Sequence, residues 1–255
     1  CVAAPSGLVS WWRAEGNGLD QVGGNNGVLL NGAGFAAGEA GQAFSFNGIN
    51  SYVEVPDSPS LRLTNELTIE FWLKRQTLNP PTPEYFLEKG GDYTGGVQNY
   101  GVAVGSPTIN NFLHFTCAGA WWGAGPIGDL NWHHYAVTAR NGQSAPQIYV
   151  DGVLQVLTHH GGGSQINLYP STRPLHIGAQ VDPVINWYYY SKTLIDELGL
   201  YNRALTGVEI QAIYTAGSAG KCSSPNPPSI LSHPSGQTLY VGNTAAFTVI
   251  AGGSS

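Results

Sequence analysis

The sequence has no methionine, only three cysteines and few charges, with 10 Lys+Arg and 16 Asp+Glu among 255 residues. Charged residues make up 10% of the chain, against roughly 25% in ordinary globular domains. The surface must therefore be built from Gly, Ser, Thr, Asn, Gln and Tyr, a composition suited to an extracellular protein. A net charge of −6 supplies no basic footprint, which excludes nucleic acid and anionic lipid as expected partners. No apolar run approaches the ~18 residues that cross a bilayer, and no leader-like segment is present, so the chain reads as a mature or excised segment without a membrane span.

What is abundant is β-forming. Short runs rich in Val, Ile, Phe, Tyr, Trp and Thr alternate with Gly, Asn, Asp and Pro clusters, the pattern of an all-β protein. The runs predict strands at 8–12, 43–46, 52–55, 67–75, 85–89, 100–104, 112–117, 132–139, 147–150, 153–158, 175–178 and 194–201. In 67–74, alternation places Leu67, Ile69, Phe71 and Leu73 on a core face and turns Glu70 and Lys74 outward. Asp151-Gly152 between two apolar runs is a tight hairpin turn. One short helix is expected near 206–216, where Thr206 and Glu209 form a capping box. A main domain then covers 1–222, a Pro/Ser-rich linker 223–229, and a short β segment 230–255 with alternating runs at 238–243 and 246–249. Thirty residues cannot bury a sandwich core alone.

Several phrases, in order, resemble the laminin-G-like, concanavalin A-like jelly-roll domains of bacterial extracellular proteins. They are Gly7-Leu8-Val9-Ser10-Trp11-Trp12, Ala43-Phe44-Ser45-Phe46-Asn47-Gly48, Tyr52-Val53-Glu54-Val55-Pro56 and Leu67-Thr68-Ile69-Glu70-Phe71-Trp72. Trp132-His133-His134-Tyr135, Tyr149-Val150-Asp151-Gly152, Leu175-His176-Ile177-Gly178, Ile195-Asp196-Glu197-Leu198 and Tyr201-Asn202-Arg203-Ala204-Leu205 follow. The segment after the linker resembles the start of a bacterial immunoglobulin-like domain. The resemblance implies two antiparallel sheets packed face to face. It also brings first and last strands side by side, making Cys1 and Cys222 the natural disulfide pair and leaving Cys117 as a small buried hydrophobe. Such a bridge would contribute about 4–5 kcal/mol in the chain-entropy model and implies an oxidising, secreted or cell-surface location. The alternative for Cys1 is the lipid-bearing first residue of a lipoprotein. Related sandwiches hold a structural Ca²⁺ where the N-terminal strand, the turn after the Phe-x-Phe strand and the last strand converge. Here those places carry Glu15, Asp20, Asn47, Gly48 and Asp196, and calcium needs six to eight oxygens of this type.

Two aromatic clusters, Trp121-Trp122 and Trp187-Tyr188-Tyr189-Tyr190, offer flat apolar faces with polar edges, the chemistry that stacks on sugar rings or packs a protein partner. Within each run one parity should be core. His159-His160 followed by three glycines suggests a transition-metal ligand but lacks a supporting Cys or His nearby, and so reads as a flexible hairpin tip. Catalysis is not expected. The chain has no Glu-x-Asp string of the laminarinase type, no Gly-x-Ser-x-Gly elbow and no phosphate loop, and Asp196-Glu197 should point to opposite strand faces. The expected function is a non-catalytic extracellular recognition module for a carbohydrate or extracellular polymer, part of a larger surface or secreted protein, with a carbohydrate or an extracellular protein as partner. The alternative is an adhesive or filament subunit whose C-terminal strands pair with a neighbouring copy.

Overall fold

Alternating apolar residues on long strands require a second layer to cover them, and the computed structural model supplies it. The structure describes residues 1–78, 80–91, 98–105, 112–182, 186–222, 229–232 and 250–252. The chain divides into two units, Cys1–Lys221 and Cys222–Ser255.

The first unit is a sandwich of two antiparallel sheets. The front sheet runs in the order Thr158–Gly161, Ala120–Pro126, Phe112–Cys117, Tyr100–Val104, Glu84–Lys89, Leu175–Ile177, Tyr52–Val55 and Val28–Leu30. The back sheet runs Val153–Leu154, Gln147–Val150, Trp132–Arg140, Glu66–Arg75, Thr193–Tyr201, Gln42–Ser45 and Gly34–Ala37, with Leu8–Trp12 also paired to Thr193–Tyr201. Leu67, Ile69, Phe71 and Leu73 face Val102, Leu113, Phe115, Trp122 and Ile177 in one core, as the alternation predicts. Cys117 is free and buried in that core, and burial pushes its thiol up to about 11. Cys1 and Cys222 are disulfide-bonded, so the lipid-bearing alternative for Cys1 falls away.

Glu70 corrects the sequence reading. It points away from the core, yet it is fully buried, because the outer face of the back sheet is covered. The helix Gly207–Ala216, opened by the predicted Thr206–Glu209 capping box, packs Ile210 and Ile213 with Leu205 against Ala136, Tyr149 and Tyr201 of that face. A buried carboxylate must be paired, and Lys221 Nζ donates to Glu70 Oε1 at 2.9 Å and to the Glu197 carbonyl at 2.8 Å. His134 Nε2 lies 3.2 Å from Glu70 Oε2.

Eight strands between residues 2 and 222 are not predicted from the sequence: 2–3, 28–30, 34–37, 120–126, 158–161, 179–182, 187–190 and 221–222. Ala120–Pro126 has Trp121-Trp122 as its only strand-forming pair among Ala, Gly and Pro, which are depleted in strands, but it is paired on both edges. The expected strand at 153–158 is two pieces, Val153–Leu154 and Thr158–Gly161, in different sheets. His159 and His160 are thus in a strand and not at a hairpin tip. In the second unit Ser229–Ser232 pairs antiparallel with Ile250–Gly252, and the runs expected at 238–243 and 246–249 lie outside the described residues.

Candidate functional site

One outer face of the sandwich is sealed by the helix, which directs attention to the other. On the front sheet, side chains alternate between core and outer face, so Trp122 is core at 2% exposed and Trp121 is on the outside. Trp121 meets His114 and His160, with ring centres 5.0 and 5.2 Å away.

Toward the sheet centre the outer face turns polar. Glu88 Oε1 accepts from Gln98 Nε2 at 3.0 Å and from Gln180 Nε2 at 2.6 Å. Gln98 Nε2 also reaches Thr116 Oγ1 at 3.0 Å. The remaining oxygens, Glu88 Oε2, Gln98 Oε1 and Gln180 Oε1, are buried without a hydrogen-bond partner. Burial pushes the Glu88 carboxyl up to about 8, against the two amide hydrogen bonds that lower it. Beside it, Asp182 pairs with Arg173 at 3.2 Å, and a side chain at Gly91 would lie 3.6 Å from both Glu88 Oε2 and Asp182 Oδ2. Such a site is built to donate or accept hydrogen bonds where water is scarce.

The far end is aromatic again. The hairpin Ala179–Asp182/Trp187–Tyr190 stacks Tyr189 on Tyr85 at 6.0 Å. Its other parity, Tyr188 and Tyr190, forms a nearly parallel pair 6.5 Å apart with an interplanar angle of 9°. Tyr190 continues to Tyr52 at 6.2 Å, and Tyr52 to His176 at 5.4 Å. Tyr188 is 44% exposed. The Trp187 side chain lies outside the described residues. Five strand spacings separate Trp121 from Tyr52, about 24 Å at the usual ~4.8 Å between strands.

The five residues expected to hold calcium are not brought together. Asp20 spends its carboxylate on the backbone N–H groups of Trp11, Val22, Gly23 and Asn25. Asn47 Oδ1 accepts from Ile49, Asn50 and Ser51, building a turn, and Gly48 packs on Lys192. Asp196 and Glu15 do share a corner. Asp196 Oδ2 accepts from Ala40 N at 2.8 Å while its Oδ1 is buried without a partner, and Glu15 lies against Gly41 of the same turn. Burial first, then the negative charges of Glu197 and Glu15, push Asp196 up to about 7 against its backbone hydrogen bonds. Glu197 is the second correction to strand alternation: it adopts φ +54° in a bulge between Asp196 and Gly199, and both acids are buried. Among the described residues no three His, Cys, Asp or Glu side chains are arranged to hold a metal.

His133 bridges two carboxylates, with Nδ1 2.7 Å from Asp151 Oδ2 and Nε2 3.0 Å from Asp129 Oδ1. Burial pulls its pKa down, but its hydrogen bonds to the Asp151 and Asp129 carboxylates, with their negative charges, outweigh this and raise it. A raised folded pKa stabilises fully below the unfolded value near 6.5, and that contribution disappears as pH rises through the folded pKa. The melting-temperature deficit of His133→Gln is therefore expected to be larger at pH 5.5 than at pH 8.5 by calorimetry, and an equal deficit at both would contradict the bridge.

Sequence reasoning found the aromatic ends of the outer face and missed its polar centre. Glu88, Gln98 and Gln180 come from separate parts of the chain and form no local motif.

Comparison with known proteins follows the same outline. The family model for the concanavalin A-like lectin/glucanases superfamily matches residues 47–211. Domain 4 of AbnA, an extracellular arabinanase from Geobacillus stearothermophilus solved with arabinotriose, superposes with a TM-score of 0.61 at 20% identity, covering 80% of this chain and 96% of that one. A Trypanosoma rangeli sialidase gives 0.60 at 18% identity, covering 84% of this chain but only 33% of the enzyme's. The binding domain of Paraclostridial Mosquitocidal Protein 1 gives 0.57 at 16% identity, covering 82% and 52%. No curated protein sequence matches. At these identities the structural neighbours establish the fold. The two-sheet jelly roll and the family match over most of the sandwich together establish that this chain belongs to the concanavalin A-like lectin/glucanase superfamily, as a laminin-G-like domain.

Proposed function

We propose that the chain is a non-catalytic extracellular recognition module that binds an extended carbohydrate along the outer face of its front sheet. The observation that carries this is the layout of that face. Exposed or half-exposed rings (Trp121 at one end, Tyr188, Tyr190 and Tyr52 at the other) flank a polar centre in which Glu88, Gln98 and Gln180 lie buried on the same side of the sheet. Sugars need both, flat apolar faces for their C–H surfaces and directed polar partners for their hydroxyls. A length of about 24 Å matches several sugar units and exceeds one. The absence of a paired acid and nucleophile string supports the non-catalytic reading. The disulfide and the laminin-G-like fold, both typical of extracellular proteins, support a secreted or surface location.

Calcium fits one part of the expected site on its oxygen chemistry. Asp196, with a buried unpartnered oxygen, and Glu15 would hold it, with carbonyls of the adjacent Gly38–Gly41 turn as neutral donors. Its role would be to fasten that turn to the last strand of the back sheet.

Titration calorimetry against soluble polysaccharides, arabino-oligosaccharides included, with and without calcium, tests the reading. Trp121→Ala and Tyr188→Ala are each expected to weaken binding about tenfold, the loss of one stacked ring. Absence of binding under both conditions would sink carbohydrate recognition, and release of reducing ends would sink its non-catalytic character.

A further inference from the structure

His114 and His160 lie far apart in sequence but meet on the outer face. His114 on the strand Phe112–Cys117 registers with Gly123 on Ala120–Pro126, and His160 belongs to Thr158–Gly161 on the other side of that strand. The two imidazoles close over the central strand because Gly123 has no side chain. A Cβ there would sit 2.7 Å from His160 Nε2 and 2.9 Å from His114 Cδ2. The ring centres are 5.3 Å apart and the planes nearly perpendicular, at 84°. Both Nε2 atoms are buried and neither has a hydrogen-bond partner, and His114 as a whole is 2% exposed.

From this juxtaposition we infer that His114 and His160 form a two-imidazole site for a divalent transition-metal ion such as Zn²⁺ or Cu²⁺. The separation of the rings suits a single shared ion. Imidazoles bind these ions through a ring nitrogen at about 2.0–2.1 Å, and two such rings on one tetrahedral ion have centres roughly 5 Å apart. Coordination requires neutral imidazole. Each Nε2 lacks a hydrogen-bond partner, so no protein contact competes with a metal for it. Two protein ligands leave the remaining positions to water or to an oxygen of a bound molecule. Borderline ions favour imidazole over the all-oxygen corner at Asp196, so the two sites would sort metals by donor type.

Trp121, whose ring lies about equally close to both histidines, provides a reporter. In untagged protein, Zn²⁺ titrated calorimetrically is expected to bind with one equivalent at micromolar affinity, and Cu²⁺ to quench tryptophan fluorescence and show nitrogen couplings by electron paramagnetic resonance. His114→Gln and His160→Gln should each lower the affinity at least tenfold. His159→Gln, whose ring faces Trp122, should leave it unchanged. His160 is partly exposed, so His160→Gln carries the test if His114→Gln fails to fold. Absence of binding, or binding unaffected by His160→Gln, overturns the proposal. No glycan is involved, so the outcome is independent of carbohydrate recognition.

Discussion

Lys221→Met is expected to cost about 3–5 kcal/mol of folding stability, the range for removing one partner of a buried ion pair. Lys221 is 4% exposed and lies between two acids, Glu70 at 0% and Glu197 at 2% exposed, the second of which also lies 3.5 Å from Arg13 Nε. Its ammonium reaches Glu70 Oε1 at 2.9 Å and Glu197 Oε2 at 3.4 Å. A methionine keeps the stem's packing and removes only the charge, leaving the carboxylates in a dry layer between sheet and helix. For a domain of this size each kcal/mol shifts the melting temperature by about 2–4 °C, so a drop on the order of 10 °C should appear by calorimetry. Pairing the substitution with Glu70→Gln should restore part of the loss, since the uncompensated charge dominates the cost. A drop below about 2 °C for Lys221→Met would show that water enters this layer.

Breaking the Cys1–Cys222 bond by the double substitution Cys1→Ser/Cys222→Ser is expected to cost about 2–5 kcal/mol, most of it through the larger freedom of the unfolded chain. In the native sandwich Val2 N still donates to Gly220 O at 3.0 Å, so the fold should survive with a lower melting temperature. Chemical denaturation of oxidised and double-variant protein measures the difference. Cys117 is an internal control, because burial raises its thiol pKa and closes it off, and it should label only on unfolding. Equal midpoints for the two proteins would mean that the ends hold together without the bond. Lys221 and Cys222 are neighbours, so the two losses should not add fully.

Much of the fold was legible because its signals are local. The strand at 67–75, the Asp151-Gly152 turn and the Thr206–Glu209 capping box each announce themselves within a few residues, and the structure places them where expected. Signals that depend on neighbours were not legible. Glu70 looked like a solvated residue because nothing in its own strand foretells a helix laid over it. Ala120–Pro126 has only Trp121-Trp122 to favour a strand and becomes one through its two partners. His160 lacked a companion in sequence, and the companion, His114, comes from two strands away. The corner at Asp196 was half legible. Asp196 and Glu15 share it, while Asp20 and Asn47, chosen by the same reasoning, are occupied in holding their own turns. The bulge that turns Glu197 into the buried layer has no sequence mark, since glutamate seldom takes a positive φ.

The bond between Cys1 and Cys222 also determines how the domain carries mechanical load. Tension that enters at one of these residues and leaves at the other passes through two side chains and one covalent bond. The more than 200 residues between them lie outside that line of force. Under tension between those two points the sheets are not sheared, and the row of rings on the front keeps its spacing.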